Sequence, residues 1–152
     1  MAAPGDRSWR HMVESDATIT WEACDQKFKP NQDWNHAWCA APANLLPRFV
    51  LGVQPLATRW KQVLIRPNPA NLTFAEGKIP TPNGPVFVRW ENGAGFKLKL
   101  DLPPGTSASV EIPATGSSRG VMLNGRSVAA KRDDKWWIIE ERLTGKVTVE
   151  TK

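Results

Sequence analysis

Two spacings of apolar side chains meet near residue 60 of this chain. Downstream, hydrophobic and polar positions alternate. Phe96-Lys97-Leu98-Lys99-Leu100 shows the pattern most cleanly, and a period of two sends successive side chains to opposite faces of a strand. The same reading predicts strands over 63–65, 86–90, 109–112, 136–139 and 147–150, with the neighbours Trp136 and Trp137 on opposite faces. Between them lie turn formers: Asn83-Gly84, Asn92-Gly93, Pro103-Pro104-Gly105, Thr115-Gly116 and Asn124-Gly125. Short strands punctuated this regularly predict an antiparallel β-sandwich over residues 60–152.

Upstream the spacing is helical and irregular. Arg7 to Glu14 predicts a short helix with Trp9, Met12 and Val13 on one face, and the β-branched Thr18, Ile19 and Thr20 predict an extended interruption. Lys27 to Asp33, with Pro30 and Asn31, reads as a loop. From Asn35 to Val53 the residues Ala37, Ala40, Ala41, Ala43, Leu45, Leu46, Phe49 and Val50 predict an apolar helix of the kind normally buried by neighbours. Pro42 and Pro47 either start new first turns there or kink it. Gly52 suits its C-terminus, with Pro55 just beyond. About sixty residues with a single such helix cannot close a helical core, so residues 1–59 read as part of something larger.

Composition narrows the classes. An apolar content of 41% with 23% charged residues is that of an ordinary globular chain, which excludes wholesale disorder. No apolar run of about 18 residues is present, so no membrane partner is expected. The net charge of +5 raises the question of nucleic acid. Lys27, Lys29, Arg89, Lys97, Lys99 and Lys131-Arg132 are dispersed among Glu91, Asp101, Asp133 and Asp134, which makes no basic stripe. Nucleic acid is therefore not an expected partner, and Asp133-Asp134 reads as a solvated turn. Cys24 and Cys39 lack metal-ligand spacing, and neither a metal nor another cofactor is expected. Unpaired thiols and an opening without the apolar core of a secretory signal point to the cytoplasm.

Candidate chemistry concentrates between Thr18 and Arg48. Trp21, Trp34 and Trp38 lie there beside the carboxylate of Glu22 and the imidazole of His36. Flat aromatic faces, one placed acid and hydrogen-bonding side chains fit a sugar, which offers C–H faces and hydroxyls and whose glycosidic bond is cut by carboxyl groups. Each residue has a plainer role available. Glu22 can cap a turn, Asn35-His36 can start a helix, and Trp34 and Trp38 can be core. Trp60, Trp90 and Trp136 read as core of the sandwich.

The motifs Trp21-Glu22 and Asn35-His36-Ala37-Trp38, the latter followed by Ala40-Ala41-Pro42-Ala43, resemble the end of the catalytic domain of bacterial α-L-rhamnosidases. Val50-Leu51-Gly52-Val53-Gln54-Pro55 and Leu64-Ile65-Arg66-Pro67 continue the likeness, which weakens from about residue 92. The resemblance implies an α+β chain: residues 1–59 as the last helices and loops of an incomplete (α/α)6 barrel, residues 60–152 as a C-terminal β-sandwich. It further implies an inverting glycoside hydrolase. Glu22 would be the general base, His36 would bond rhamnose hydroxyls, and Trp21, Trp34 and Trp38 would line the pocket of a rhamnosylated glycoside. The family's general acid lies upstream of the segment matched here, so the chain alone is expected to be inactive and the missing part of the domain becomes an expected partner. Cys24 stands where the family pattern carries a large aromatic, and Cys39 where it carries a small residue. From a different class, a free-standing carbohydrate-binding or interaction sandwich would need exposed, coplanar aromatics.

Overall fold

Alternation decides which face of each strand goes inward. In Phe96–Asp101, Phe96, Leu98 and Leu100 are buried while Lys97 and Lys99 point outward. The computed structural model describes residues 3–116 and 118–152, so Met1 and Ala2 of the opening segment, and Ser117, lie outside the described residues. The chain divides into two units, Met1–Leu45 and Leu46–Lys152.

The first unit carries a short helix, α1 (Trp9–Glu14), a 3-10 turn (Ala37–Ala40) and a second helix, α2 (Ala41–Leu45). Ser8 caps α1 by accepting from the His11 amide at 3.1 Å, and Met12 is buried. Around α1, His11 Nε2 meets Asp25 Oδ2 at 2.9 Å and Lys27 pairs with Asp6. Thr18 to Thr20 form no strand.

The second unit opens on a π turn (Leu46–Val50) and continues through eleven strands: β1 (Val53–Pro55), β2 (Gln62–Ile65), β3 (Phe74–Ile79), β4 (Val86–Asn92), β5 (Phe96–Asp101), β6 (Ser107–Pro113), β7 (Val121–Leu123), β8 (Arg126–Val128), β9 (Ala130–Asp133), β10 (Trp136–Ile139) and β11 (Lys146–Thr151). One sheet has the order β1-β2-β6-β10-β9 and the other β3-β4-β5-β11-β7-β8. Every strand pair is antiparallel except β2 with β6, which is parallel. That pair is a departure from the purely antiparallel expectation, because hydrophobic alternation is identical for either direction. Val63, Ile65, Val110 and Ile112 of the first sheet share one core with Val88, Trp90, Leu98 and Val149 of the second. Two packed sheets around one core make a β-sandwich.

The apolar helix expected from Asn35 to Val53 is broken into 3-10, α and π segments. Pro42 and Pro47 each fall in the first turn of a new segment, where a missing N–H costs nothing. Trp38, Leu45, Leu46 and Phe49 remain exposed. Gly52 then turns the chain with φ +88 into β1. A Cβ there would lie 2.3 Å from the Arg66 carbonyl carbon and 2.3 Å from Pro67 N, so only glycine lets the two backbones pass. Leu51 and Val53 on either side are core residues, and the indole of the fully buried Trp90 donates to the Val50 carbonyl at 3.1 Å.

β3 was not expected because its pattern is inverted. Phe74, Glu76 and Lys78 face out while Ala75 and Gly77 face in, and the space over Gly77 is taken by Leu51, 3.0 Å from an added Cβ. Asn124 and Gly125, with φ 49 and 80, form the tight turn between β7 and β8.

These contacts make two expectations measurable. Gly52→Ala combines a left-handed backbone with a backbone collision, so it should destabilise the sandwich by about 2–5 kcal/mol in urea unfolding. A chain beginning at residue 46 keeps Leu51, Val53 and β1, whereas one beginning at residue 60 loses them. The longer one should melt higher, and equal melting temperatures would show that the Val50–Val53 strap contributes nothing.

Candidate active-site loop

The site residues of the first unit sit on two loop limbs laced by main-chain bonds. Glu22 N donates to the Asp33 carbonyl at 2.9 Å, and His36 N donates to the Thr20 carbonyl at 2.8 Å. Thr20 Oγ1 returns a bond to the His36 carbonyl at 2.9 Å. Gln32, buried, accepts the Ala23 amide on its Oε1 at 3.1 Å. The bend joining the limbs is set by Asp25, whose Oδ1 accepts the Lys27 amide at 3.0 Å, a turn that short carboxylate side chains favour.

This lacing brings Glu22 and His36 together. One donor or acceptor atom from each of Glu22, Asp33 and His36 lies within 4.8 Å of the others. The Glu22 side chain is largely covered, with 17% exposure. Its Oε1 is ion-paired to Lys29 and its Oε2 accepts the Asp33 amide at 3.1 Å. The Lys29 ammonium, then the Asp33 N–H, hold this carboxyl below its ordinary pKa, and the opposing effect of burial is smaller.

His36 caps the 3-10 turn. Its Nδ1 accepts the Trp38 amide at 3.2 Å, so in the neutral ring the proton resides on Nε2, which is left as a donor. That tautomer suits a sugar hydroxyl better than a cation, because the imidazole lone pair is already engaged. Two carboxylates and one imidazole can meet a metal ion, yet here Lys29 already balances Glu22.

The tryptophans form two edge-to-face pairs. Trp21 meets Trp34 with ring centroids 4.8 Å apart, and Trp38 meets the His36 ring at 5.0 Å. Trp38 is 84% exposed and Trp34 47%, so neither is a core residue of the described chain. Cys39 Sγ touches the Glu22 carbonyl at 3.5 Å, and burial pushes its thiol pKa up. Cys24 and Cys39 are both free thiols.

Trp21, Glu22, Trp34 and His36 thus lie on this loop pair, and Trp38 lies in the 3-10 turn that follows His36. Lys29, Gln32 and Asp33 were missed. The loop reading over Lys27–Asp33 located them, but no pattern says that a lysine seven residues after Glu22 folds back onto it.

Comparison with known proteins matches each part of the chain separately. Residues 1–50 match the bacterial α-L-rhamnosidase 6 hairpin glycosidase domain, and residues 52–126 the bacterial α-L-rhamnosidase C-terminal domain. An α-L-rhamnosidase of Streptomyces avermitilis is 29% identical over 82% of this chain, and one of an Alteromonas species is 32% identical over 70%. The chain spans 13% of the length of each. Among solved structures, α-L-rhamnosidase from Dictyoglumus thermophilum superposes with a TM-score of 0.87 at 19% identity, covering 99% of this chain and 18% of that one. The Streptomyces avermitilis enzyme complexed with L-rhamnose superposes at 0.84 with 24% identity, covering 99% and 15%. At these identities the superpositions establish the fold, and the sequence matches carry the kinship. The chain belongs to the bacterial α-L-rhamnosidases, a glycoside hydrolase family, and comprises the end of the six-hairpin domain followed by the C-terminal β-sandwich.

Proposed function

We propose that this chain supplies one half of an α-L-rhamnosidase active site, with Glu22 as the general base of an inverting hydrolysis. The observation that carries the reading is the grouping on one loop pair of a covered, ionised carboxylate, a histidine Nε2 donor and tryptophan faces. In an inverting reaction the base takes a proton from water as that water attacks the anomeric carbon. A second carboxyl, about 6.5–9.5 Å away, protonates the departing oxygen. Among the described residues, the carboxylate grouped with Glu22 is that of Asp33. Asp33 lies beside Glu22, closer than the spacing that leaves room for a water. The acid is therefore assigned to the remainder of the six-hairpin domain, and that remainder is proposed as the partner of this chain.

Lys29 modifies the base. While its ammonium holds Oε1, Glu22 is ionised but weakly basic, so proton capture requires the ion pair to open. Lys29 is the more exposed member, at 41% against 17% for Glu22. An isolated sandwich acting as a tryptophan platform is disfavoured. Trp90 and Trp137 are buried, and Trp136 lies beneath the Arg66 guanidinium at 4.5 Å.

The purified chain should not turn over nitrophenyl α-L-rhamnoside, since one carboxyl cannot serve as both acid and base. Addition of the remaining six-hairpin polypeptide should restore turnover, and Glu22→Gln in the assembled pair should lower kcat by at least about a hundredfold. Restored activity that survives Glu22→Gln would remove Glu22 from the mechanism.

The protonation state is separately measurable. A depressed folded-state pKa means that Glu22 stabilises the loop pair at pH above its unfolded pKa, and this contribution is lost as pH falls through the folded value. In Lys29→Ala the carboxyl resonance of Glu22 should titrate at higher pH than in the parent, followed by carbon NMR. An unchanged midpoint would show that the ion pair does not govern the carboxylate.

A further inference from the structure

On the outer face of the second sheet most charges are paired. Arg89 reaches Glu76 at 2.7 Å and Glu91 at 2.9 Å, Lys97 pairs with Glu150, and Lys146 lies 3.5 Å from Asp101. Among the described residues, Lys78 and Lys99 on the same face join none of these pairs. Register fixes where they stand. Lys78 is directly opposite Phe87 on β3, Asp101 is opposite Phe87 on β5, and Lys99 occupies the diagonal two residues from Asp101. The half-buried Phe87 thus has Lys78 and Asp101 directly across from it and Lys99 on the diagonal, where the Lys99 charge also acts on Glu91.

Beside this ring runs a shallow groove of about 340 Å³, lined by Phe87, Lys99, Asp101, Asn124, Lys146 and Thr148. Thr148 is the cross-strand neighbour of Lys99, and both line the groove. Asn124 accepts the Thr148 amide on Oδ1 at 2.8 Å, which orients its side chain and leaves the amide N–H groups as donors.

We propose that this groove binds a saccharide carrying a carboxylate, a uronate-type sugar. The aromatic face takes the C–H face of the ring, Lys99 takes the carboxylate, and Thr148 and Asn124 bond hydroxyls. Charge selects this ligand. Five cations on the face (Lys78, Arg89, Lys97, Lys99 and Lys146) meet four carboxylates (Glu76, Glu91, Asp101 and Glu150), so the face carries one net positive charge, which a single carboxylate balances and a run of phosphates would exceed. An acidic peptide would meet Lys99 but offers no flat C–H face to Phe87. The site lies wholly within the unit Leu46–Lys152 and does not depend on Glu22.

Titration of the intact chain with methyl galactosiduronate, which carries one carboxylate, with its methyl ester and with sodium sulfate, followed by amide NMR at low salt, tests this. The uronate should shift resonances of β4, β5 and β11 saturably. The methyl ester should bind about three- to fivefold more weakly, as expected for loss of one exposed charge pair. Lys99→Gln should erase the difference between acid and ester with the melting temperature unchanged, and Phe87→Thr should weaken both while the amide spectrum stays that of the folded chain. Raising ionic strength should weaken the acid only. Equal binding of acid and ester, indifference to Lys99→Gln, shifts produced as well by sulfate as by the sugar, or no saturable shift with the uronate would each overturn the proposal.

Discussion

The sandwich unit depends on a crossing of two backbones at Gly52. There the chain passes so close to Arg66 and Pro67 that no side chain fits between them, and Arg66 N bonds the Gly52 carbonyl at 2.8 Å. That contact sets the pairing of β1 with β2, and it also aims Leu51 and Val53 into the core from either side of the glycine. Trp90, the largest fully buried side chain, finds the partner for its indole N–H on the same strap, at Val50. A buried N–H without an acceptor costs about 1–3 kcal/mol, so strap and core are tied by polar as well as apolar contacts.

What could be read from sequence was whatever rests on local alternation. β5, Phe96–Asp101, is predicted to within one residue because Phe96, Leu98 and Leu100 are large and the residues between them charged. β3 was invisible because its inward positions begin with the small Ala75 and Gly77, and the missing side chain at Gly77 makes sense only once Leu51 is known to lie above it. The parallel pairing of β2 with β6 was equally invisible, since alternation carries no sign of strand direction. The broken helix from Ala37 to Val50 was half legible: the prolines announce interruptions, but not the π turn that follows Leu45.

The site shows the same division. Trp21, Glu22, Trp34, His36 and Trp38 stand out by residue type and by resemblance. Their proximity depends on lacing between main-chain groups of Thr20, Glu22, Asp33 and His36, which any sequence could in principle provide. Lys29 is the clearest omission. Its role arises from the turn at Asp25–Lys27, which folds a distant cation onto the carboxylate, and turn geometry of that kind has no signature in spacing alone. Electrostatics then distinguishes a resting carboxylate from a working one: the group is ionised here by a neighbour that competes for the same oxygen as the proton.

The single parallel pair governs the order in which the sandwich can form. Antiparallel neighbours such as β3, β4 and β5 are joined by short turns and can zip locally, whereas β2 and β6 are separated by those three strands of the opposite sheet. The central seam of the first sheet therefore closes a loop of some forty residues, whose entropy is lost before any of its contacts are gained. The hairpins of the second sheet are consequently the natural nucleus. Until β6 docks on β2, the edges of both strands are open, and the folding chain is most vulnerable to pairing with its own copies at that stage.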